Sequence, residues 1–263
     1  MVKNILKEII KKKTERINLI KKNTNVNLLN NLIEKNKLFI NFKDKIQNNI
    51  INNKISIIAE IKKASPSSGI IFQNYKPLDI AKIYLKNKVT CLSILTEEDF
   101  FLGNLTHLKQ VKEKVNLPIL CKDFFIDKFQ IPLAKSYGAD AILIILSAVS
   151  DNLAHILYEE ALKFKMSIIV EVHNVKEAKK ALSFKEALIG INNRNLKTLK
   201  TDINTTYDIH SILINHSAPI ISESGIKTKK ELQNLTAKTS IKTFLIGESL
   251  LRNLTKNSIF SVL

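Results

Sequence analysis

Two carboxylates and two lysines carry most of the chemistry this chain offers. Glu60 and Lys62 stand two residues apart at the end of the apolar run 55–61, Lys122 follows Leu120-Cys121, and Glu171 lies within Val170-Glu171-Val172. A spacing of two on a strand puts Glu60 and Lys62 on one face. A charge on a buried face is costly unless it is paired or functional. One reading is therefore an ion-pair layer closing the top of a fold. The other is a general acid and a general base whose pKa values are displaced by burial and by each other. Four such residues converging on one rim favour the second.

Further polar groups end the later runs. Asn192, Asn193 and Arg194 follow Gly190-Ile191, Glu223, Ser224 and Gly225 follow Ile221-Ser222, and Gly247 and Glu248 follow Ile246. Ser65-Pro66-Ser67-Ser68-Gly69 is either an ordinary turn or a hydroxyl donor to a phosphate. Phe100, Phe101, Phe124 and Phe125 belong either to a core or to a site that holds a planar ring. His107, His155, His173, His210 and His216 have no ligand spacing among themselves or with cysteine, so no metal is expected. His173 is expected to support its neighbours or the fold rather than react. No Gly-x-Ser-x-Gly elbow or Cys/His pair argues for a covalent intermediate.

Eight short apolar runs must position these groups: 55–61, 90–95, 118–121, 141–146, 167–172, 188–191, 219–221 and 243–246. Each is rich in Ile, Val or Leu and lacks polar alternation, as parallel strands covered on both faces require. Helical stretches such as 77–88, 105–114, 128–137 and 176–182 lie between them. Strand-then-helix order over about 210 residues predicts an α/β fold, a single (β/α)8 TIM barrel. The competitor is an open doubly wound sheet, but no Gly-x-Gly-x-x-Gly follows the first run. Catalytic groups of such barrels come from the C-terminal strand ends, and the loops after the last two strands often cradle a phosphate, here at Gly225 and Gly247. Ahead of the first run, Ile5, Leu6, Ile9, Ile10, Ile17 and Ile20 predict an amphipathic helix, then an asparagine-rich connection and a second short helical stretch. Residues 1–50 are thus expected to be a helical extension packed on the barrel, closing one end, within one domain spanning 1–263.

The formal net charge is +17 and the pI about 9.7, values that can mark a nucleic-acid binder. The lysines are spread through the whole chain with no basic block, which favours a solvated surface that still attracts anions. No specific nucleic acid is expected as a partner. No uncharged apolar run is long enough to span a membrane, and the N-terminus lacks a secretory cleavage site. Cys91 and Cys121, set in apolar runs, are expected to be buried free thiols in a reducing cytoplasm.

Five segments, in order, resemble one known family. Ile58-Ala59-Glu60-Ile61-Lys62-Lys63-Ala64-Ser65-Pro66-Ser67, Ser93-Ile94-Leu95-Thr96-Glu97, Pro118-Ile119-Leu120-Cys121-Lys122-Asp123-Phe124, Gly190-Ile191-Asn192-Asn193-Arg194-Asn195-Leu196 and Ile221-Ser222-Glu223-Ser224-Gly225-Ile226 are similar to the signatures of indole-3-glycerol-phosphate synthases. The resemblance runs from about residue 50 to Arg252 and includes the helical extension. It implies a cytoplasmic carboxy-lyase of tryptophan biosynthesis, expected to be a monomer, using no metal or organic cofactor. The implied substrate is the small anion 1-(2-carboxyphenylamino)-1-deoxyribulose 5-phosphate. By motif position, Lys122 would be the acid at the ketone oxygen. Glu60 and Glu171 would transfer protons in the later dehydration. Lys62 would pair the substrate carboxylate or act as a second acid, and which lysine serves which step stays open. Asn192, Arg194 and Ser224 would orient the substrate, with Phe101, Phe124 and Glu223 also touching it. Ser65, Gly225, Gly247 and the backbone of Glu248 would hold the phosphate. The alternative is another phosphate-binding barrel of tryptophan or histidine biosynthesis, though an isomerase needs only one acid/base pair.

Overall fold

The computed structural model describes residues 5–36, 38–196 and 198–263, so 1–4, Lys37 and Lys197 lie outside the described residues, the first two within the expected extension. Eight strands form a closed barrel: Ser56–Ile61 (β1), Cys91–Leu95 (β2), Ile119–Lys122 (β3), Ala141–Ile145 (β4), Ser167–Val172 (β5), Leu188–Asn192 (β6), Ile220–Glu223 (β7) and Thr243–Ile246 (β8). Neighbours in sequence pair in parallel, and β8 closes on β1. All eight predicted runs are strands, two of them with the predicted bounds and the rest shifted by a residue or two. The largest shift is in β7, which continues to Glu223 and so places that carboxylate on a rigid strand instead of a loop.

Strand parity sorts the core. Ile58, Cys91, Leu120, Leu143, Ile169, Leu188, Ile221 and Leu245, one from each strand, form a single buried cluster inside the barrel. Their neighbours, such as Ile57, Ala59, Leu92, Ile119, Ile168 and Ile189, pack outward against the surrounding helices. That is why the runs show no polar alternation.

The extension differs from its prediction. Its described residues hold three helices, Ile5–Asn23 (α1), Val26–Lys35 (α2) and Phe42–Ile51 (α3), and the asparagine-rich connection is itself mostly α2. Asparagine is a poor interior helix residue, but Asn25 and Asn41 cap α2 and α3 by accepting the N–H of Leu28 and Asp44. Buried Leu29 anchors α2 in a cluster with Ile17, Phe129 and Leu133. Both ends of the barrel are covered. Ile9 of α1 and Phe42 and Ile46 of α3 join the interior cluster. The α3 helix sits under the strand starts, where Asn49 donates to Ser56 and Thr90 and the Lys43 N–H donates to Ser167. Around the barrel run Pro77–Lys86 (α4), Leu105–Lys112 (α5), Gln130–Ser136 (α6), Asp151–Lys163 (α7), Val175–Ala181 (α8), Asn204–Leu213 (α9), Lys229–Thr239 (α10) and the short Glu248–Arg252 (α11). Directly after β1, Ala64–Ser65 and Gly69–Ile70 form a small antiparallel hairpin, so the serine/proline loop is a structured turn.

Candidate active site

Two residues beyond each apolar plug residue, the inward position on several strands becomes polar. Ile58 is followed by Glu60 and Lys62, Leu120 by Lys122, Ile169 by Glu171, Leu188 by Gly190 and Asn192, Ile221 by Glu223, and Leu245 by Gly247. Glu60, Lys62, Lys122, Glu171, Asn192, Glu223 and Gly247 line one cavity of about 910 Å³ at the C-terminal strand ends, with Ser65, Phe101, Phe124, Arg194, Ser224, Gly225 and Glu248 also in its wall. Every site residue expected from sequence therefore meets around a common space.

Lys122 is the electrostatic centre. Its ammonium donates to Glu171 at 2.9 Å and to Glu223 at 2.7 Å. Burial works against its charge, but Glu171, Glu223 and Glu60 raise its pKa above the ordinary lysine range. Burial would likewise raise both carboxylates, and they part company. Lys122 and His173 hold Glu171 well below the usual range. Glu223, one of whose oxygens has no hydrogen-bond partner, is pushed up to about 7 by burial and the charge of Glu171, more than Lys122 offsets. Two like charges on one ammonium favour one shared proton. Glu60 pairs with Lys62 on its own strand. Gly190 and Gly247 lie beneath Glu223 and Glu60, where a Cβ would fall 2.1 Å and 2.2 Å from the respective carboxylate oxygens.

At the other side of the mouth, Ser224 (φ 65°) and Gly225 (φ 85°) form a left-handed turn after β7. Asn193 holds that turn: its amide donates to Ser222 and to the Ser224 carbonyl, while its oxygen accepts from Thr206. Arg194 donates to Ser67 at 2.6 Å, and Ser68 donates to Glu248, tying the β1 hairpin to β6 and α11. Arg252 also holds the Glu248 carboxylate, and Glu248 lies in the cavity wall.

The four phenylalanines divide. Phe101 and Phe124 line the cavity with ring centroids 6.4 Å apart. Phe125 is buried in the outer core, and Phe100 packs against the interior cluster, so neither takes the substrate-facing place considered for it. His173 stands behind Glu171, outside the cavity wall, in the supporting place expected of it. Among the described residues no cluster of three or more His, Cys, Asp or Glu could hold a metal ion.

Sequence reasoning missed several contributors. Buried Glu97 accepts the N–H groups of Asp99, Phe100 and Phe101 and so fixes the loop that presents Phe101. It lay within a quoted motif, but nothing in the pattern announced that role. Asn193 was equally visible and equally silent. Ile5, Leu6 and Ile9 of α1 form part of the cavity wall. The helix is fastened there by Lys13 to Asp123 at 2.7 Å, by Arg16 to Glu98 and Asp99, and by Lys21 to Asp127.

Comparison with known proteins agrees with this geometry. A relative from Prochlorococcus marinus subsp. pastoris, named indole-3-glycerol phosphate synthase, is 45% identical over 95% of this chain and 85% of its own length. One of the same name from Burkholderia lata is 41% identical over 75% of each chain. Solved barrels share the fold at low identity. A 3-hexulose-6-phosphate synthase superposes with a TM-score of 0.59 at 12% identity, covering 79% of this chain and 96% of that one. The tryptophan synthase subunit alpha of Legionella pneumophila gives 0.56 at 13%, covering 85% and 94%. The family model described as indole-3-glycerol phosphate synthase matches residues 6–261, and the chain belongs to that family.

Proposed function

We propose that this chain catalyses the reaction its relatives are named for, converting 1-(2-carboxyphenylamino)-1-deoxyribulose 5-phosphate to indole-3-glycerol phosphate with loss of CO2 and water. The observation that carries the reading is the meeting of Glu60, Lys62, Lys122, Glu171, Asn192 and Glu223 in one cavity. In the first step the ring carbon bearing the carboxylate attacks the ketone, and electrons move onto the ketone oxygen. The Lys122 ammonium, pre-set between two carboxylates, stabilises that oxygen and gives it a proton, since an alkoxide is basic enough to take one even from a strongly held ammonium. The aniline nitrogen meanwhile supports the ring as an iminium. Loss of CO2 returns the bond pair to the ring and restores its aromaticity. The new hydroxyl then leaves with a proton, and a carboxylate removes a proton from the adjacent carbon to complete the indole. Glu60 and Glu171 serve these transfers, and Lys62 pairs the substrate carboxylate or supplies the second acid.

Phe101 and Phe124 hold the aromatic ring, and Asn192, Arg194, Ser224 and Glu223 orient the substrate. The left-handed turn at Ser224 and Gly225, with Ser65, Gly247 and the Glu248 backbone, holds the phosphate. We read the chain as one domain working as a monomer in the cytoplasm. The two buried free cysteines support a reducing compartment.

The test is direct. Incubation with the substrate should give indole fluorescence and CO2, and Lys122→Ala should abolish both while circular dichroism stays unchanged. Turnover near wild type in that variant overturns the role given to Lys122.

A further inference from the structure

Glu171 divides its two oxygens between different partners. One accepts from Lys122 at 2.9 Å, and the other lies 3.2 Å from His173 Nε2, an ion-pair contact short of a well-aligned hydrogen bond. The opposite ring nitrogen, Nδ1, lies 3.1 Å from Glu177, whose same oxygen accepts the His173 backbone N–H at 2.8 Å. Glu177 is itself held at the start of α8. Its other oxygen accepts from the Asn174 side chain, and its N–H donates back to Asn174. A continuous chain of contacts therefore runs from the capped end of α8 through Glu177 and His173 to Glu171, Lys122 and Glu223. His173 is outside the cavity wall and touches the reaction only through Glu171.

That arrangement breaks a symmetry. Glu171 and Glu223 both reach the Lys122 ammonium at hydrogen-bond distance, and two carboxylates so placed compete for one charge. They differ in the second partner, since Glu171 has an imidazole and Glu223 has none. Given Glu171 as the proton-transfer carboxylate, as read above, we propose that His173, clamped by Glu177, is a positioning residue that keeps Glu171 oriented and charged and leaves the shared proton to Glu223. Glu60 acts on Lys122 from β1, and on α8 the exposed Lys180 is paired with Asp151 of α7. Two flanking carboxylates raise the imidazole to about 9 against its burial, so it carries a charge at neutral pH.

The experiment is the pH profile of kcat and KM for His173→Gln and Glu177→Gln, with wild type and Glu171→Gln alongside. Glutamine keeps an N–H donor near Nε2 but no charge. In His173→Gln the acid limb of kcat should move up by about one pH unit, a roughly tenfold loss at pH values on the falling limb itself, with the plateau above it within about threefold and KM little changed. Glu177→Gln should move the limb the same way by less. Limbs that overlie wild type in both variants overturn the proposal, as does a loss uniform across pH that merely tracks a lower melting temperature. Should His173→Gln not fold, Glu177→Gln reads the same limb and decides alone. A wild type that forms no indole product sinks the reaction and this role together. Glu171→Gln as fast as wild type removes Glu171 from the chemistry, and with it the role of His173. Unmoved limbs with both controls behaving as expected sink the role of His173 only.

Discussion

A glycine under each of two cavity carboxylates sets a narrow tolerance at the residue scale. A Cβ at Gly247 would also lie 3.1 Å from the Glu60 Cβ, and one at Gly190 would lie 3.1 Å from Ile169, so neither carboxylate can swing aside without moving a packed neighbour. Gly247→Ala and Gly190→Ala should each lower kcat about 100-fold, the order of cost of displacing a catalytic group by about 1 Å. Steady-state kinetics with an unchanged far-UV spectrum checks this, and activity within a few-fold of wild type would show that the carboxylates are not held where they appear. His173 has a signature in stability as well. Its folded pKa of about 9 lies above the ordinary 6.5, with burial opposing the shift and Glu171 and Glu177 imposing it. The stabilisation is complete below pH 6.5 and is lost as pH rises through 9, amounting to about 3 kcal/mol at most. Urea midpoints should fall across that window in wild type and stay flatter in His173→Gln.

Among the elements, α1 carries the most weight for its length, because it supplies Ile5, Leu6 and Ile9 to the cavity and binds the loops after β2 and β3. Its buried link is Lys13 to Asp123, and Asp123 also accepts from Thr96 and directly follows Lys122. Lys13→Met leaves a nearly buried carboxylate without its cation, a change that costs about 3–5 kcal/mol when the pair is well buried. A lower denaturation midpoint and a reduced kcat/KM should appear together, and a variant as stable and active as wild type would reduce α1 to a passive cover. The barrel strands were legible in the sequence because burial on both faces leaves uninterrupted Ile, Val and Leu. The site was legible because its charges stand at inward positions just above the apolar plug, where a charge has no packing reason to be. The α2 helix was not, since Asn25 and the asparagines after it look like loop until the cap and the packing of Leu29 are seen. Lys13 and Lys112 were hidden for another reason. Among so many solvated lysines, nothing local marks two that are buried against Asp123 and Asp140.

For the whole molecule, the question is whether a charge of +17 helps an anionic substrate or merely surrounds it. Exposed charges farther apart than a Debye length, about 10 Å at 0.1 M salt, are largely screened. Lys54, Lys88 and Lys165 are exposed just before β1, β2 and β5, at the barrel end opposite the cavity. Lys227, also exposed, lies in the cavity wall. If proximity governs, Lys227→Gln should raise KM about two- to fivefold at low salt with kcat unchanged, and should flatten the rise of KM with added salt. The triple variant Lys54→Gln, Lys88→Gln, Lys165→Gln removes three times the charge and should leave KM within about twofold at 0.1 M salt. Lys62, Lys122 and Arg194 line the cavity itself, and the contacts proposed for them with substrate would be short-range ones, so kcat should hold across the salt series in every variant. A triple variant whose KM rises more than that of Lys227→Gln would mean the field of the entire surface draws the substrate in, and the lysine excess would then belong to the enzyme's function and not only to its solvation.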